Sequence, residues 1–223
     1  MNDSAESLPG WDPLEPLQRR ILGVLIEKSK TTPDTYPLSL NALTTGCNQK
    51  SNRDPVMDLE EEDVENAIAP LQKRGLASRV SGGRVDRWRH HAYEAWTVGR
   101  IELGILCELL LRGPQTEGEL RTRVPRLDTL PDGDALGNAL KELARRALVV
   151  WLEPEGRRGA RVTHGFHPAA ELEALKAGSG NSPAIEHGPR AADAGLSARV
   201  EALEARVEEL ARQLDEFRKA VGG

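Results

Sequence analysis

The sequence predicts a mainly helical α+β protein with small β-hairpins, built from one small unit that occurs twice. Two pairs of matching blocks indicate the repeat: 64–76 matches 136–148, and 22–27 matches 103–108. The spacing between equivalent leucines is 49 residues in the first copy, from Leu22 to Leu71, and 40 in the second, from Leu103 to Leu143. The first copy therefore carries an insertion of about nine residues. A period of about 75 residues is too long for most solenoid repeats, which favours two copies of a small domain.

In the second copy, apolar residues over 100–112 predict a buried helix that a Gly-Pro pair ends. Thr116 and Glu119 have the spacing of a capping box, so a short second helix is expected to follow. A third helix is predicted from about residue 134, because its leucines recur at i, i+4 and i+7. The segment 148–163 then reads as two strands joined by a turn.

The first copy repeats this order, with helices over 16–29, 39–45 and 59–74 and a hairpin of strands at 77–80 and 85–96. Three helices followed by a hairpin is the order of a winged-helix domain, so the sequence predicts two tandem winged-helix domains. A purely helical repeat is the alternative, and the Gly-Gly turn between the strands of the first copy counts against it.

Five segments follow from this assignment. We expect a flexible N-terminus over 1–13, winged-helix domains over 14–98 and 99–168, a short helix and flexible linker over 169–195, and a coiled-coil helix over 196–221. The linker is expected because its Gly and Pro residues interrupt any apolar periodicity.

The coiled-coil helix is predicted from an unbroken heptad seam. Mainly β-branched a positions and mainly leucine d positions favour a parallel homodimer. The alternative is an amphipathic helix that folds back on its own domain. The seam residues, which we predict to form the dimer contact, are Leu196, Val200, Leu203, Val207, Leu210, Leu214, Phe217 and Val221.

Composition restricts the class of protein. The chain has 223 residues, a formal net charge of −5 and two cysteines, Cys47 and Cys107. No apolar run reaches the length of a membrane span, and the polar N-terminus lacks the apolar core of a secretory signal. We therefore expect a cytoplasmic protein with reduced thiols and no membrane partner.

Catalysis and metal binding have little support in the sequence. The acidic run 60–63 is typical of the first turn of a helix, where carboxylates interact favourably with the helix dipole. The pairs His90-His91 and His164…His167 have no matching ligand pair at metal-site spacing, and no nucleotide-binding or nucleophile motif occurs. The sequence therefore predicts no enzyme, no cofactor and no metal.

Nucleic-acid binding is better supported, because a winged helix typically places its third helix in the major groove and its wing on the backbone. In the second copy the third helix carries polar residues opposite its leucine face, and the wing is rich in arginine. The alternative interpretation is that the helix face is simply solvated and that the wing is a polar turn without a ligand. The predicted contacts are Asn138, Lys141 and Arg145 on the helix and Arg157, Arg158 and Arg161 on the wing.

The first copy presents a different pattern. Its third helix opens with acids that would repel phosphates, but its hairpin carries Arg84, Arg87 and Arg89 around a tryptophan that could stack on bases. The alternative is the usual hairpin pattern with one face in the core, in which Trp88 is buried and the arginines lie in water. The inserted segment adds Lys50 and Arg53, which are candidates for a binding loop. The alternative for this insertion is a structural loop, whose short polar side chains hydrogen-bond the backbone: Asn48, Ser51, Asn52 and Asp54.

The insertion also carries a family resemblance. The stretches 37–43 and 47–56, the latter reading Cys-Asn-Gln-Lys-Ser-Asn-Arg-Asp-Pro-Val, and the downstream Arg84-Val85…Arg89-His90 resemble the bacterial YceH-like family. The resemblance covers about residues 14–168. It implies tandem winged helices and a bacterial cytosolic setting, and it implies no particular activity.

Our leading hypothesis is a dimeric DNA-binding protein, a transcriptional regulator, with double-stranded DNA and a second copy of the chain as partners. The alternative is a protein–protein adaptor built on the same domains, which the acidic net charge and the acidic third helix of the first copy favour. The two hypotheses differ in whether the chain has a salt-dependent affinity for DNA.

Overall fold

A computed structural model describes residues 11–131 and 134–179. Within these ranges the chain has an α+β fold of eight α-helices and two three-stranded antiparallel sheets. We call residues 11–98 the first half and the described residues from 99 to 179 the second half. All of these residues belong to one compact unit.

The two halves run through the same order of elements. The first half comprises α1 (Pro16–Thr31), β1 (Leu38–Ser39), α2 (Leu40–Cys47), α3 (Glu61–Lys73), β2 (Ala77–Val80), β3 (Arg87–His90) and α4 (Ala92–Trp96). The second half comprises α5 (Arg100–Arg112), β4 (Gln115–Thr116), α6 (Glu117–Arg123), α7 (Ala135–Arg145), β5 (Val149–Trp151), β6 (Arg161–His164) and α8 (Ala169–Ser179).

The two sheets share one topology. Their strand orders are β1-β3-β2 and β4-β6-β5, so the last strand of each half lies in the centre of its sheet. The hairpins that the sequence predicts are confirmed as β2–β3 and β5–β6. The third strand of each sheet was not predicted: Leu38 pairs with Trp88, and Gln115 pairs with Val162.

Local signals explain where several helices begin and end. Ser39 caps α2 by accepting a hydrogen bond from the backbone N of Ala42 at 3.2 Å. The predicted capping box is confirmed, because Thr116 and Glu119 exchange hydrogen bonds at the start of α6. Helix α5 has the predicted bounds and stops at Gly113, whose φ of +72° favours glycine.

One element of the first half differs from its prediction. The strand expected over 85–96 ends at His90, and the chain continues as the short helix α4. This helix buries Ala92 and Trp96, which are four residues apart and so lie on one helical face. Trp96 stacks on Phe166 with ring centroids 4.7 Å apart, so a contact with the second half stabilises the helical conformation.

The core is continuous between the halves where α1 packs on α5. The thiol of Cys107 on α5 donates to the carbonyl oxygen of Gly23 on α1 at 3.3 Å. A Cβ atom added to Gly23 would lie 2.7 Å from Leu111 Cδ2, which is too close for van der Waals contact. Glycine at this position therefore permits the close approach of the two helices.

The predicted coiled coil over 196–221 and its dimer contacts lie outside the described residues. The same is true of most of the predicted linker and of the first ten residues. Among the described helices, none has the length and apolar composition that crossing a bilayer requires.

Candidate nucleic-acid interface

Helix α7 separates an apolar face from a polar one, as its sequence period predicts. Leu136, Leu140 and Leu143 are buried in the core, whereas the three predicted contact residues, Asn138, Lys141 and Arg145, are exposed. Arg145 pairs with Glu142 on its own helix at 2.6 Å, with 71% of the arginine side chain exposed. An exposed pair of this kind is weak, so the guanidinium of Arg145 remains accessible to a phosphate or a base.

A polar groove of about 360 Å³ lies beside α7, between this helix, α6 and the second hairpin (149–164). Asn138 and Lys141 line it from α7, and Trp151 lines it from β5. Acidic side chains also reach the groove, among them Glu117 and Glu155. The surface beside α7 therefore combines donors and acceptors, which suits the reading of base edges better than uniform contact with phosphates.

The second hairpin carries two accessible arginines at its tip. Arg157 and Arg158 are exposed, and their side chains pair with no carboxylate among the described residues. Arg161 behaves differently, because Glu153 accepts hydrogen bonds from its backbone N at 2.6 Å and from its Nη2 at 3.2 Å. Arg161 therefore holds the base of the hairpin together, whereas the two arginines at the tip have no carboxylate partner within the described part of the chain.

The first hairpin (77–90) alternates its side chains between core and solvent. On β3, Arg87 and Arg89 are exposed, whereas Trp88 and His90 are buried. Arg87 also donates to the carbonyl oxygen of Pro37 at 2.8 Å. The turn adds two exposed side chains, Arg84 and Val85 (59% exposed), and Val80 at the end of β2 is 39% exposed.

Helix α3 occupies the position in the first half that α7 occupies in the second, but its exposed face is acidic. Glu61, Glu62, Asp63 and Glu65 are all exposed along its first turns. Because these carboxylates repel phosphates, the two equivalent helices differ in what they can bind. The cations of the first half lie on its hairpin instead.

Within the insertion, Lys50 is exposed but Arg53 is buried. The expectation that Arg53 contacts DNA is wrong, because its guanidinium binds the buried carboxylate of Glu27 with Nη2–Oε2 at 2.5 Å. Its Nε donates to the carbonyl oxygen of Gly46 at 3.0 Å. Arg53 therefore stabilises the fold and is not accessible to a ligand.

The insertion also shows features of a structural loop. The Asn48 side chain exchanges two hydrogen bonds with the backbone of Leu59, at 2.8 and 3.0 Å. Asn52 has a φ of +60° and accepts a hydrogen bond from Arg112. Asp54 contributes through its backbone N, which donates to the carbonyl oxygen of Leu111 at 2.9 Å.

Glu27 belongs to a larger buried network that joins the halves. Arg126 donates one hydrogen bond to Glu27 and another to Glu108, both at 2.7 Å. The two glutamates are equivalent positions of the repeat and are 2% and 0% exposed. Arg112 completes the network as an ion pair with Glu108, with Nε–Oε2 at 3.2 Å. Burial raises the pKa of Glu27, but the hydrogen bonds from Arg53 and Arg126 outweigh it and leave that pKa below its ordinary value.

The sequence analysis missed this network, although a signal was present. Each glutamate interrupts an apolar run at the same place in the repeat, after Ile26 in one copy and after Cys107 in the other. A carboxylate in a buried helix needs a cation, because an unpaired buried charge is costly. The identity of the cation could not be inferred, since Arg126 lies 99 residues from Glu27.

Comparison with known proteins identifies the family. Residues 14–159 match the family described as "Protein of unknown function, DUF480", and the chain belongs to it. The match bears out the resemblance drawn from the motifs of the insertion.

Several bacterial relatives are similar over most of their length. A UPF0502 protein of Rhodopirellula baltica is 44% identical over 191 residues, which cover 85% of this chain and 80% of the relative. A UPF0502 protein of Pseudomonas paraeruginosa is 44% identical over 192 residues, covering 86% and 85%. A third, from Koribacter versatilis, is 49% identical over 159 residues, covering 70% and 74%.

Proposed function

We propose that this chain is a DNA-binding protein with two tandem winged helices and that α7 is its reading helix. The observation that carries the proposal is the surface of the second half. Helix α7 exposes an amide and two cations opposite its buried leucines, and the tip of the adjacent hairpin holds two arginines that pair with no carboxylate of residues 11–131 and 134–179. A helix in the major groove beside a basic wing on the backbone is a common mode of DNA recognition.

The topology supports the winged-helix assignment. Each half has a long helix, a two-residue strand, two further helices and a hairpin, with the two-residue strand paired to the second strand of the hairpin. In this arrangement α3 and α7 are the third helices, and the hairpins are the wings.

The two halves would play unequal parts. The carboxylates of α3 disfavour its entry into a groove, so the first half is expected to contact DNA through Arg84, Arg87 and Arg89 on its hairpin and through Lys50. The second half would contribute both its helix and its hairpin. One recognition helix per chain and a dimer through 196–221 would place two α7 helices on two half-sites, as a transcriptional regulator requires.

The first experiment measures binding of the purified chain to mixed genomic DNA fragments by fluorescence anisotropy at about 50 and 200 mM salt. Affinity is expected to fall by about tenfold or more over this range, because several phosphate contacts release counterions. Replacing both Arg157 and Arg158 by alanine should weaken binding to all fragments and lower the salt dependence by about two phosphate contacts.

The repeat supplies a matched control for α7. Arg145→Ala should weaken binding, whereas Lys73→Ala, the same change at the equivalent exposed position of α3, should leave it unchanged. Equal losses from both variants would contradict the unequal roles of the two helices.

The alternative function is a protein–protein adaptor, which the exposed carboxylates of α3 favour because they suit a basic protein surface better than DNA. Absence of DNA binding at either salt concentration would make the adaptor the leading proposal. The dimer is tested separately by sedimentation of a chain that lacks 196–223. A truncated chain that stays dimeric would contradict the coiled-coil assignment.

A further inference from the structure

We propose that a cavity at the junction of the two halves binds a small anion with phosphate or carboxylate groups. The cavity has a volume of about 420 Å³ and lies where the end of α1, β3, α4 and the start of α5 meet. This volume is in the range of cavities that hold small molecules. The groups that would bind the ligand are Tyr36, Arg89, Tyr93 and Arg100.

Two tyrosine hydroxyls in the cavity each have an unused donor. The hydroxyl oxygen of Tyr36 accepts a hydrogen bond from the backbone N of His90 at 2.7 Å. The hydroxyl oxygen of Tyr93 accepts one from Nζ of Lys30 at 2.9 Å. Neither hydroxyl donates to any described residue. Burial raises the pKa of Tyr36 to about 12, so this hydroxyl keeps its proton at neutral pH and needs an acceptor.

Two guanidinium groups, one from each half, add further donors. Arg89 is exposed and forms no ion pair with a described residue. Arg100 donates through its Nε to Asp128 at 2.9 Å, and its two terminal nitrogens donate to no described residue. Guanidinium groups with free terminal nitrogens are the preferred partners of phosphates and carboxylates.

The remaining polar groups of the cavity have their partners. Lys30 is held by Asp128 at 3.0 Å with 7% of its side chain exposed. Because Ser29 donates to the carbonyl oxygen of Ile26, Nε2 of His90 must donate to the Ser29 hydroxyl at 3.1 Å. Nδ1 of His90 accepts from the backbone N of Ala92, so this histidine is neutral and satisfied.

The excess of hydrogen-bond donors over acceptors in the cavity therefore determines the chemical class of ligand that it can bind. Counting the described residues alone, donors without an acceptor remain on two hydroxyls and two guanidinium groups, and Glu94 at the exposed rim is the acidic residue of the lining. An acceptor-rich anion satisfies this set, whereas a neutral apolar ligand would leave the donors unpaired at a cost. With His90 satisfied on both ring nitrogens, the cavity is suited to binding and not to proton transfer.

Isothermal titration calorimetry of the full chain, without DNA, tests the site with inorganic phosphate and with citrate as probes. We expect saturable binding of at least one probe with one site per chain. Arg100→Gln and Tyr93→Phe should each weaken it by about fivefold or more, since each removes a donor to a charged ligand. Arg79→Gln is the matched control, because this exposed arginine of β2 lies on the first hairpin but neither lines the cavity nor belongs to the proposed DNA contacts, and it should change affinity by less than about twofold.

Absence of saturable heat with both probes would overturn the proposal, as would equal losses from Arg79→Gln and Arg100→Gln. Thermal unfolding of each variant establishes that its fold is intact. DNA backbone phosphates carry the same chemistry, so a short duplex is titrated in parallel. Duplex binding that depends on Arg100 without binding of either free probe would assign these donors to DNA and overturn a small-ligand site. Since the probe titrations contain no DNA, their result is independent of the proposed function.

Discussion

Arg126 donates hydrogen bonds to two carboxylates that are almost fully buried, one from each copy of the repeat. Burying a charged group costs several kcal/mol, and the cost is offset only where the charge is fully paired. Glu27 has two guanidinium partners, Arg53 and Arg126, and Glu108 has Arg126 and Arg112. Removal of Arg126 therefore takes one hydrogen bond from each buried carboxylate and leaves each glutamate with a single guanidinium partner.

Arg126→Met tests this pairing. We expect it to lower the free energy of unfolding by about 2–4 kcal/mol, slightly less than for a fully buried partner because a third of the Arg126 side chain is exposed. Urea denaturation measures the change. The control Arg145→Met breaks an exposed pair and should change stability by less than about 1 kcal/mol; equal effects would contradict the role of burial.

The stacked pair His164 and His167 should make stability dependent on pH. Their ring centroids are 3.9 Å apart. Burial, repulsion from a charged His167 and the nearby Arg19 hold the pKa of His164 well below its ordinary value of 6.5. Burial and Arg19 also lower the pKa of His167. Because the unfolded chain binds protons more readily, stability is complete above about pH 6.5 and is lost as the pH falls below it.

Because its folded-state pKa lies well below the ordinary value, His164 should remove about 1.4 kcal/mol between about pH 7.5 and 5.5. His164→Asn retains an acceptor for the backbone N of Phe166 but does not titrate. We therefore expect the variant to lose about 1 kcal/mol less than the parent chain when urea denaturation is compared at the two pH values. Identical pH dependence in both chains would show that His164 does not contribute.

The helix pair α1 and α5 determines how closely the halves approach. Gly23→Ala places a methyl group against Leu111 and is expected to destabilise the chain by about 1–3 kcal/mol through overpacking. Gly118→Ala on the exposed face of α6 makes the same chemical change without a close neighbour, so it should stabilise by about 0.5–1 kcal/mol. Thermal unfolding of both variants measures the two shifts, and a neutral Gly23→Ala would contradict close packing at this crossing.

Elements with local signals were predictable from the sequence. The bounds of α5 and the cap of α6 depend on residues within one turn of each helix end, and the pattern of α7 gives its exposed and buried faces directly. The two-residue strands β1 and β4 were not predictable, because their pairing depends on strands about 50 residues away.

The candidate site was predictable only in part, for a related reason. Exposure of Lys141, Arg157 and Arg158 follows from local periodicity and turn position. The burial of Arg53 depends on Glu27, 26 residues earlier in the chain, and no local pattern contains that information. The same limit applies to Arg161, whose partner Glu153 lies across the hairpin.

At the scale of the whole molecule, the shared core predicts that the two halves unfold together. Leu71→Ala and Leu143→Ala remove equivalent buried side chains from the two halves, and each should cost about 2–5 kcal/mol. Both variants are expected to move one common urea midpoint. Tryptophan fluorescence measures it, because the four tryptophans lie in both halves: Trp11, Trp88 and Trp96 in the first and Trp151 in the second. Two separate transitions, each sensitive to one variant, would show that the halves are independent.

The bridge from Arg126 to both glutamates also bears on the history of the repeat. A single unit resembling the second copy would hold both cations of its own glutamate, Arg112 and Arg126, whereas a unit resembling the first copy would hold only Arg53. In the present chain, loss of the second copy would leave Glu27 buried with Arg53 as its remaining guanidinium partner, whereas loss of the first copy would leave both cations of Glu108 in place. The first copy therefore depends on the second for the charge balance of its buried glutamate, and this dependence runs in one direction.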